Sequence, residues 1–337
     1  MSSPDKQRPT LKTIAELTGY SLSTVSLSLR DGSQLKKTTR DKVAEAAEQI
    51  GYVPNRAGVR LRTGRTNVLA LVLAADVNNM DFTRIMIQGI GAYIHGTKYH
   101  LNVIPEFERS DPMDCVRYIL SNRSADGVIL THTSARDPRV QLLMDEQYPF
   151  VSHGRTEFVS PHAYHDFHAE RFIELAVGRH VEKGRTNLLL AAVDNGTTNY
   201  STTVSAYSRQ VSNMQMTGNI VDRSNDLENP RSARELGIKI AKQTQRPDGI
   251  ICNNELTAVA IISALQGENM VLGKDYDLIC KQTTEILPML YPRMDTIAED
   301  LYQTGRELAK LLISSINAVE PEELQTLHSP ITHWRNI

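Results

Sequence analysis

Small hydroxyl side chains recur along residues 21–28, which read SLSTVSLS. An inward-facing Val25 would leave Ser23, Thr24 and Ser26 on the outside of a short helix, with no bulky charged residue among them. Hydroxyl groups of this size allow close approach and can hydrogen-bond to phosphate oxygens and base edges. The chemistry that they suggest is recognition of a nucleic acid.

Two short helices joined by a tight turn are predicted over residues 10–30. Thr10 stands at an N-cap position, Gly19 allows the backbone to reverse, and Ser21 can cap the second helix. Apolar residues at helical spacing supply the inward faces: Leu11, Ile14, Ala15 and Leu17 in the first helix, and Val25, Leu29 and Leu22 in the second. This is the helix-turn-helix pattern, whose second helix enters the DNA major groove. An ordinary helical hairpin with a serine-rich solvent face is the alternative.

Charge is distributed unevenly along the 337 residues. Residues 1–65 contain 12 Lys and Arg against 6 Asp and Glu, whereas the remainder contains 25 against 33. The overall net charge of −2 therefore combines a head of +6 with a body of −8. A basic head on an acidic body indicates that the head meets a polyanion, although chance clustering of surface charge gives the same numbers.

A third helix and a basic linker follow the hairpin. Residues 37–51 place apolar side chains on one helical face and end at a glycine, so they predict a helix. The linker, residues 52–66, contains Leu61 among Arg60, Arg62 and Arg65. An apolar side chain flanked by arginines suits a wedge in the DNA minor groove, with the arginines on phosphates.

The body alternates short apolar strands with helices, beginning with the strand VLALVLAA at residues 68–75. Such alternation predicts parallel sheets with right-handed crossovers, and its repetition after residue 169 predicts two doubly wound lobes. A ligand cleft is expected between the lobes, beyond the carboxyl ends of the strands.

Polar residues that directly follow strands are the candidates to line this cleft. Carboxylates, amides and an aromatic ring suit the hydroxyl groups of a sugar, although any one of these residues can instead cap a loop. The candidates are Asp76, Asn78, Asp81, Phe82, His132, Thr133, His153, Arg155, Thr197 to Tyr200, Asn253 to Glu255, Lys281 and Gln282.

No catalytic or metal-binding motif is found. His162, His165 and His168 share three-residue spacing, but Pro161 and the intervening aromatic residues predict strand and loop rather than a metal-binding helix face. A nucleophile elbow, a phosphate-binding loop and an HExxH motif are all missing. The three cysteines show no paired spacing, and no apolar run is long enough to span a membrane. The sequence therefore predicts a protein that is not an enzyme, without metal or cofactor.

The chain resembles the LacI/GalR family of bacterial transcription regulators. The headpiece resemblance lies in TLKTIAELTGYSLSTVS and KTTRDKVAEAAEQIGYVPNRAGVRL, and the body continues it with VLALVL, ADGVIL, GIICNNELTAVAIISAL and TIAEDLYQTGRELAKLL. It implies an all-α helix-turn-helix headpiece at residues 1–51, a hinge helix and linker at 52–66, and a periplasmic-binding-protein-like α/β body at 67–337. The implied first lobe comprises about 67–162 plus 291–320, and the second about 163–290 plus 321–337.

The resemblance also implies site residues. Leu22, Ser23 and Leu27 match positions that read bases, and residues 56–61 match a hinge helix that places Leu61 in the central base step. The expected DNA-binding residues are Thr10, Ser21, Leu22, Ser23, Thr24, Ser26, Leu27, Thr39, Asn55, Arg56 and Leu61. In the cleft, Asn253 matches a sugar-contacting Asn. Thr203 and Gln282 stand where relatives usually have an Arg and an Asp, and Leu27 stands where many have an Arg.

Two functions are therefore weighed. The first is a cytoplasmic, nucleoid-associated repressor that binds a pseudo-palindromic operator as a homodimer and is switched by a small carbohydrate. The second is a sugar-binding protein or sugar-active enzyme with an incidental helical head. The basic head and the lack of a catalytic motif favour the first. The sequence does not identify the sugar, the operator, or the direction of the switch.

Overall fold

A computed structural model describes residues 9–29, 34–53, 58, 60, 63–74, 80–106 and 111–335. The side chains of residues 74, 80 and 81 fall outside this description. The chain divides into two compact units between Thr66 and Asn67, and each unit is described by itself.

The first unit contains three helices around a small apolar core. Thr10 caps the first helix through a capping box with Thr13, and Gly19 ends it with a φ of 75°, in the left-handed region that favours glycine. The core centres on the fully buried Ile14, Val25 and Val43. The helices are α1 (Leu11–Thr18), α2 (Leu22–Ser28) and α3 (Lys37–Gln49).

Three residues of the hairpin differ from expectation. Leu17 is 59% exposed and Leu22 is 53% exposed, so neither joins the core as expected. Thr18 of the first helix is buried instead, and its hydroxyl donates to the carbonyl oxygen of Ile14 at 2.7 Å. A buried threonine that hydrogen-bonds its own helix costs little, so helical spacing of apolar residues alone misplaced the inward face by one residue.

The second unit contains two six-stranded sheets, which confirms the predicted pair of doubly wound lobes. The strand orders are β11-β5-β4-β3-β1-β2 and β12-β10-β9-β8-β6-β7, and only β12 pairs antiparallel in the described chain. Buried apolar clusters cover both faces of each sheet because successive strand residues point to opposite sides.

The first sheet comprises β1 (Val68–Ala74), β2 (His100–Glu106), β3 (Gly127–Leu130), β4 (Phe150–His153), β5 (Tyr164–Phe167) and β11 (Gln325–His328). The second comprises β6 (Asn187–Ala191), β7 (Thr217–Ile220), β8 (Gly249–Cys252), β9 (Asp277–Gln282), β10 (Thr296–Ala298) and β12 (Ile331–His333). The helices of the body are α4 (Met80–Ile94), α5 (Met113–Asn122), α6 (Pro138–Asp145), α7 (Ala169–Glu182), α8 (Thr198–Asn213), α9 (Pro230–Ala241), α10 (Glu255–Gly267), α11 (Ile286–Leu290) and α12 (Leu301–Ile316).

The chain passes between the two sheets three times, but later than expected. The passages follow β5, β10 and β11, at about residues 168, 299 and 329. The expected boundaries at 162/163, 290/291 and 320/321 therefore assigned β5, β10 and β11 to the wrong lobe. Strands β10 and β11 have only three and four residues, too short for a periodic apolar pattern to reveal them.

Helices α4 and α12 approach each other closely through two glycines on the first lobe. A Cβ atom at Gly89 would overlap the carbonyl oxygen of Tyr302, and one at Gly305 would overlap that of Met86. Backbone-to-backbone contact of this kind excludes any side chain at either position. The two glycines therefore set the distance between the helices.

Candidate nucleic-acid interface and ligand cavity

The first turn of α2 presents a cluster of exposed hydroxyl groups. The Ser21 Oγ accepts from the Thr24 backbone N–H at 3.2 Å and lies 2.8 Å from both the Ser23 Oγ and the Thr24 Oγ1. Leu22, beside them, is 53% exposed. The start of this helix thus offers small polar groups and one apolar side chain to an external surface.

The other residues expected to contact DNA differ in exposure. Thr10, Ser21, Leu22 and Ser23 are exposed, whereas Thr24, Ser26, Leu27 and Thr39 are half-buried. Asn55, Arg56 and Leu61 lie outside the described residues, although Gly58 and Arg60 between them have helical backbone. Contact with DNA stays a prediction for all of these residues.

A cavity of about 320 Å³ lies in the second unit at the carboxyl ends of both sheets, where parallel sheets bind ligands. The first lobe supplies Phe82 of α4 and residues that end or follow β3, β4 and β5, and the second lobe supplies residues that end or follow β6, β7, β8, β9 and β10. Its lining includes Phe82, His132, Thr133, His153, Asp166, Phe167, Thr197, Asn199, Tyr200, Glu228, Asn253, Glu255, Lys281, Thr283, Thr284 and Glu299.

Three charged or titratable side chains meet on the cavity wall where the chain passes between the lobes. The Glu299 Oε2 lies 3.0 Å from the Lys281 Nζ, and its Oε1 lies 3.3 Å from the His153 Nε2. Burial opposes ionisation of Glu299, but the charge of Lys281 and the contact with His153 outweigh it and lower the pKa of this carboxyl well below its usual range. His153 belongs to the first lobe and Lys281 to the second, so the carboxylate connects both.

Asp166, near the end of β5, is bound by an arginine that does not itself line the cavity. Its Oδ2 accepts from the Arg155 Nε at 2.7 Å, and the Arg155 Nη2 also reaches Glu170 at 3.2 Å. Arg155 itself does not line the cavity, contrary to expectation, because these two carboxylates turn its guanidinium away. Asp166 takes its place on the wall.

The loop that carries His132 is fixed by a buried arginine on α6. The Arg139 guanidinium bonds the Asp137 carboxylate at 2.7 Å and Glu106 at 2.8 Å, and it donates to the carbonyl oxygens of Thr131 and His132, both at 3.1 Å. Its side chain is only 6% exposed. This network holds His132 beside the cavity with a φ of 54°, an uncommon backbone conformation.

Asn253, which the resemblance implied as a sugar contact, lies on the wall but is also tied to the backbone. Its amide accepts from the Val193 N–H at 2.8 Å and donates to the Val193 carbonyl at 3.2 Å. It thereby joins the ends of β6 and β8. An oxygen lone pair and a second N–H remain to be used by a ligand.

Glu255 is similarly engaged at the start of α10. Its carboxylate accepts from the Thr283 and Thr284 hydroxyls at 3.0 and 2.9 Å. Burial raises the pKa of this carboxyl, although the threonine hydrogen bonds act in the opposite direction. The contact joins the loops that follow β8 and β9.

Two aromatic rings offer apolar faces to the cavity. Phe82 packs against the rings of His132 and His153, with centroids 6.1 and 5.6 Å apart. Tyr200 lies under the guanidinium of Arg223, 5.1 Å from its ring centroid. Both residues were expected here. Asp76 and Asn78 lie outside the described residues, as does the side chain of Asp81.

Thr203 and Gln282 were expected to face the cavity, and the structure places both elsewhere. The Thr203 hydroxyl is buried in α8, where it donates to the Asn199 carbonyl at 2.8 Å. Gln282 follows Lys281 along β9, and alternation along a strand puts the two on opposite faces. Its Oε1 accepts from the Thr296 hydroxyl at 2.6 Å.

Sequence reasoning missed several residues of the wall, above all Glu299 and Asp166. Glu299 follows the three-residue strand β10, and recognition of that strand would have identified it as a residue at a strand end. Asp166 lies within HAYHDFH (residues 162–168), a segment whose histidine spacing suggests only a metal site. The three histidines of that segment do not converge, and the described residues contain no group of three or more His, Cys, Asp or Glu arranged for a metal ion.

Two buried histidines make the body sensitive to acid. Burial lowers the pKa of His165 to about 3 and that of His180 to about 4, so each is neutral in the folded state at a pH where the unfolded chain takes up a proton. Because both folded pKa values lie below the ordinary 6.5, stability is lost as pH falls below about 6.5, by up to about 1.4 kcal/mol per pH unit for each histidine.

We expect His180→Gln to reduce this pH dependence between pH 6.5 and 4.5, measured as urea midpoints of the body transition. Gln keeps an N–H for the Ile250 carbonyl, which the His180 Nε2 meets at 3.2 Å. The exposed His95 provides the control, since His95→Gln should leave the slope unchanged. Equal slopes for all three proteins would contradict the assignment.

No helix among the described residues is long and apolar enough to cross a membrane.

Comparison with known families gives two matches. Residues 10–55 match the family described as bacterial regulatory proteins, lacI family, and residues 177–335 match the periplasmic binding protein-like domain. The transcriptional regulator AglR of Rhizobium meliloti (strain 1021) is 26% identical over 91% of this chain and 87% of its own length. The regulator RafR of Escherichia coli is 27% identical over 95% and 96%.

Solved structures share the fold over nearly the whole chain. A lac repressor dimer bound to operator and the anti-inducer ONPF superimposes with a TM-score of 0.79 at 17% identity, covering 98% of this chain and 99% of the other. The complex of the regulator CelR with cellobiose gives a TM-score of 0.70 at 21% identity, with the same coverage. With a lacI-family DNA-binding domain followed by a periplasmic-binding-protein-like body, the chain belongs to the LacI family of bacterial transcriptional regulators.

Proposed function

We propose that this protein is a repressor that binds a pseudo-palindromic operator as a homodimer and is switched by a small carbohydrate held between the lobes of its body. The supporting observation is that one chain combines a hydroxyl-rich helix on a basic unit with a polar cavity between two lobes. Such a regulator would act in the bacterial cytosol, at the nucleoid.

DNA binding is assigned to the first unit. In this proposal Leu22, Ser23 and Leu27 of α2 meet base edges, while the hydroxyls of Thr10, Ser21, Thr24, Ser26 and Thr39, with Asn55 and Arg56, hold phosphates. Leu27 replaces a guanine-binding arginine of many relatives, so base contacts from this helix are expected to be fewer and more apolar. Paired Leu61 side chains would open the central base step.

The switch is assigned to the wall where the chain passes between the lobes. Glu299 contacts His153 of one lobe and Lys281 of the other, so a ligand that touches this cluster meets both lobes at once. A ligand that binds one lobe arrangement more tightly than the other shifts the population between them. Coupling of about 1–3 kcal/mol between the two sites is typical of such switches.

Electrophoretic mobility shift with the upstream region of its own locus tests this function. The full chain should bind that duplex more tightly than a random duplex at the same moderate salt, because phosphate contacts alone give salt-dependent binding without sequence preference. A carbohydrate that raises the melting temperature should also change operator affinity. Equal affinity for both duplexes would contradict the repressor assignment.

Leu61→Ala should weaken operator binding about tenfold or more, equivalent to ~1.4 kcal/mol, and leave carbohydrate affinity unchanged. The reason is that the shortened side chain no longer fills the opened base step. Val159→Ala is the control, because Val159 is a fully exposed apolar residue of the body. Unchanged operator affinity of Leu61→Ala would rule out the wedge.

A further inference from the structure

Charge on the cavity wall is predominantly negative. Within the described part of the chain, the lining includes four carboxylates, and Lys281 is its only lysine or arginine. The carboxylates are Asp166, Glu228, Glu255 and Glu299.

The one lining lysine is already neutralised. The Lys281 Nζ lies 3.0 Å from the Glu299 carboxylate and 5.0 Å from the ring centroid of Phe167. The Glu299 side chain is only 1% exposed and the Lys281 side chain 18%. Because the pair is largely shielded from water, its charges are weakly screened and the lysine is poorly available to a second anion.

Nearby arginines are also paired with carboxylates, although Arg223 is 69% exposed and its pair is open to solvent. Arg155 is bound by Asp166 and Glu170, Arg139 by Asp137 and Glu106, and Arg223 by Asp194 at 3.0 Å. Each guanidinium therefore faces a carboxylate of the protein. None of the three lines the cavity.

Helix N-termini, the other common anion-binding device, are partly engaged by side-chain caps. The Thr197 hydroxyl caps α8 by accepting from the Tyr200 N–H, and the Asn254 side chain caps α10 by accepting from the Thr257 N–H. Glu255 takes the Thr284 N–H at 3.3 Å. The protein's own oxygens thus hold donors that a phosphate would otherwise use.

We infer that the effector of this cavity is an uncharged polyhydroxyl compound, and that Glu299 determines this specificity by neutralising Lys281 against phosphorylated and acidic sugars. The inference rests on the proposed function and narrows its ligand class. An anion entering the cavity would meet these carboxylates, while Lys281, the only lysine or arginine of the described lining, is already bound by Glu299, and like charges in close contact disfavour a partner strongly. Hydroxyl groups instead can donate to carboxylate lone pairs that remain free, while Phe82 and Tyr200 offer apolar faces.

Matched carbohydrates test the inference on the full chain. Glucose, glucose 6-phosphate and glucuronic acid form one set, trehalose and trehalose 6-phosphate a second, and cellobiose and cellobionic acid a third. Calorimetry and thermal shift at pH 7.5 and fixed salt should find a neutral member that binds, with its anionic counterpart at least about tenfold weaker.

The variant Glu299→Gln tests whether Glu299 determines the preference for neutral over anionic carbohydrates. Gln keeps the shape of the side chain but leaves Lys281 without its carboxylate, so the preference for the neutral over the anionic member should fall at least about tenfold. Asp295→Asn is the matched control. Asp295 is equally buried and binds Arg179 and Lys183 at 2.8 and 3.4 Å, but it does not line the cavity. Its removal should leave the preference unchanged.

A double variant, Glu299→Gln with Lys281→Met, removes both charges and is a second test if the single variant does not fold. It should reject anions as the unmodified protein does, because it has no freed cation. If it instead bound the anionic members, the role of Lys281 would be refuted.

The remaining outcomes separate the inference from the proposed function. An anionic sugar that binds the unmodified protein as tightly as its neutral counterpart, and that changes operator affinity, overturns the inference and leaves the proposed function intact. Failure of every carbohydrate to bind or to alter operator affinity overturns the proposed function and the inference with it. An unchanged preference in Glu299→Gln refutes the role of Glu299.

Discussion

Replacement of Arg139 by Met is expected to destabilise the body by about 3–5 kcal/mol, because it leaves one buried and one half-buried carboxylate without their cation. Asp137 and Glu106 have side chains only 3% and 14% exposed, and Arg139 contacts both. Ionisation of Asp137 in the folded state depends on this arginine, since burial alone would raise the pKa of that carboxyl, whereas the hydrogen bonds and charge of Arg139 lower it. Urea unfolding at pH 7 and fixed protein concentration measures the loss.

Arg139→Met should also weaken carbohydrate binding. The guanidinium donates to the carbonyl oxygens of Thr131 and His132, so its loss frees the loop that places His132 on the cavity wall. Arg117→Met is the matched control, because Arg117 is 58% exposed and pairs with exposed aspartates, and exposed pairs contribute about 0–1 kcal/mol. A loss no larger than that of the control would show that the network does not stabilise the fold.

The overall architecture could be predicted because long periodic segments and the capping residues agree with each other. Thr10 and Ser21 cap the helices that they were expected to cap. The apolar segment at residues 68–74 forms the first strand of the body, as expected. Each of these features depends on neighbours in sequence, so local propensity is sufficient to find it.

The cavity was predicted less well because it depends on which sheet a short strand joins. Assignment of β10 to the first lobe concealed Glu299, and the one-residue choice between Lys281 and Gln282 depended on strand register, which the sequence alone does not fix. Arg155 and Thr203 were misjudged because their partners, Asp166 and the Asn199 carbonyl, compete with a ligand for the same groups. Contacts that only the fold reveals therefore determine which polar residues near a cleft can bind a ligand and which hold the protein's own backbone and side chains.

Substitution of Gly89 by Ala is expected to destabilise the body by about 3 kcal/mol. Overpacking typically costs about 1–3 kcal/mol when flexible side chains can yield. Here the added Cβ would meet the backbone carbonyl of Tyr302 on α12 and lie 3.1 Å from the Arg306 nitrogen, so the whole helix has to move. Because α12 follows directly after Glu299, this displacement should also alter the contact of Glu299 with His153 and hence carbohydrate affinity.

Gly91→Ala, two residues further along the same helix, is the matched control for Gly89→Ala. A Cβ at Gly91 would meet nothing within 4 Å, so only the gain in helix propensity remains, a stabilisation of about 0.5–1 kcal/mol. The two alanine variants should therefore shift the urea midpoint in opposite directions, measured on the body transition at one protein concentration. Similar shifts in both would mean that α4 and α12 can separate without cost, and the close glycine contact would then not fix the position of α12 beside the cavity.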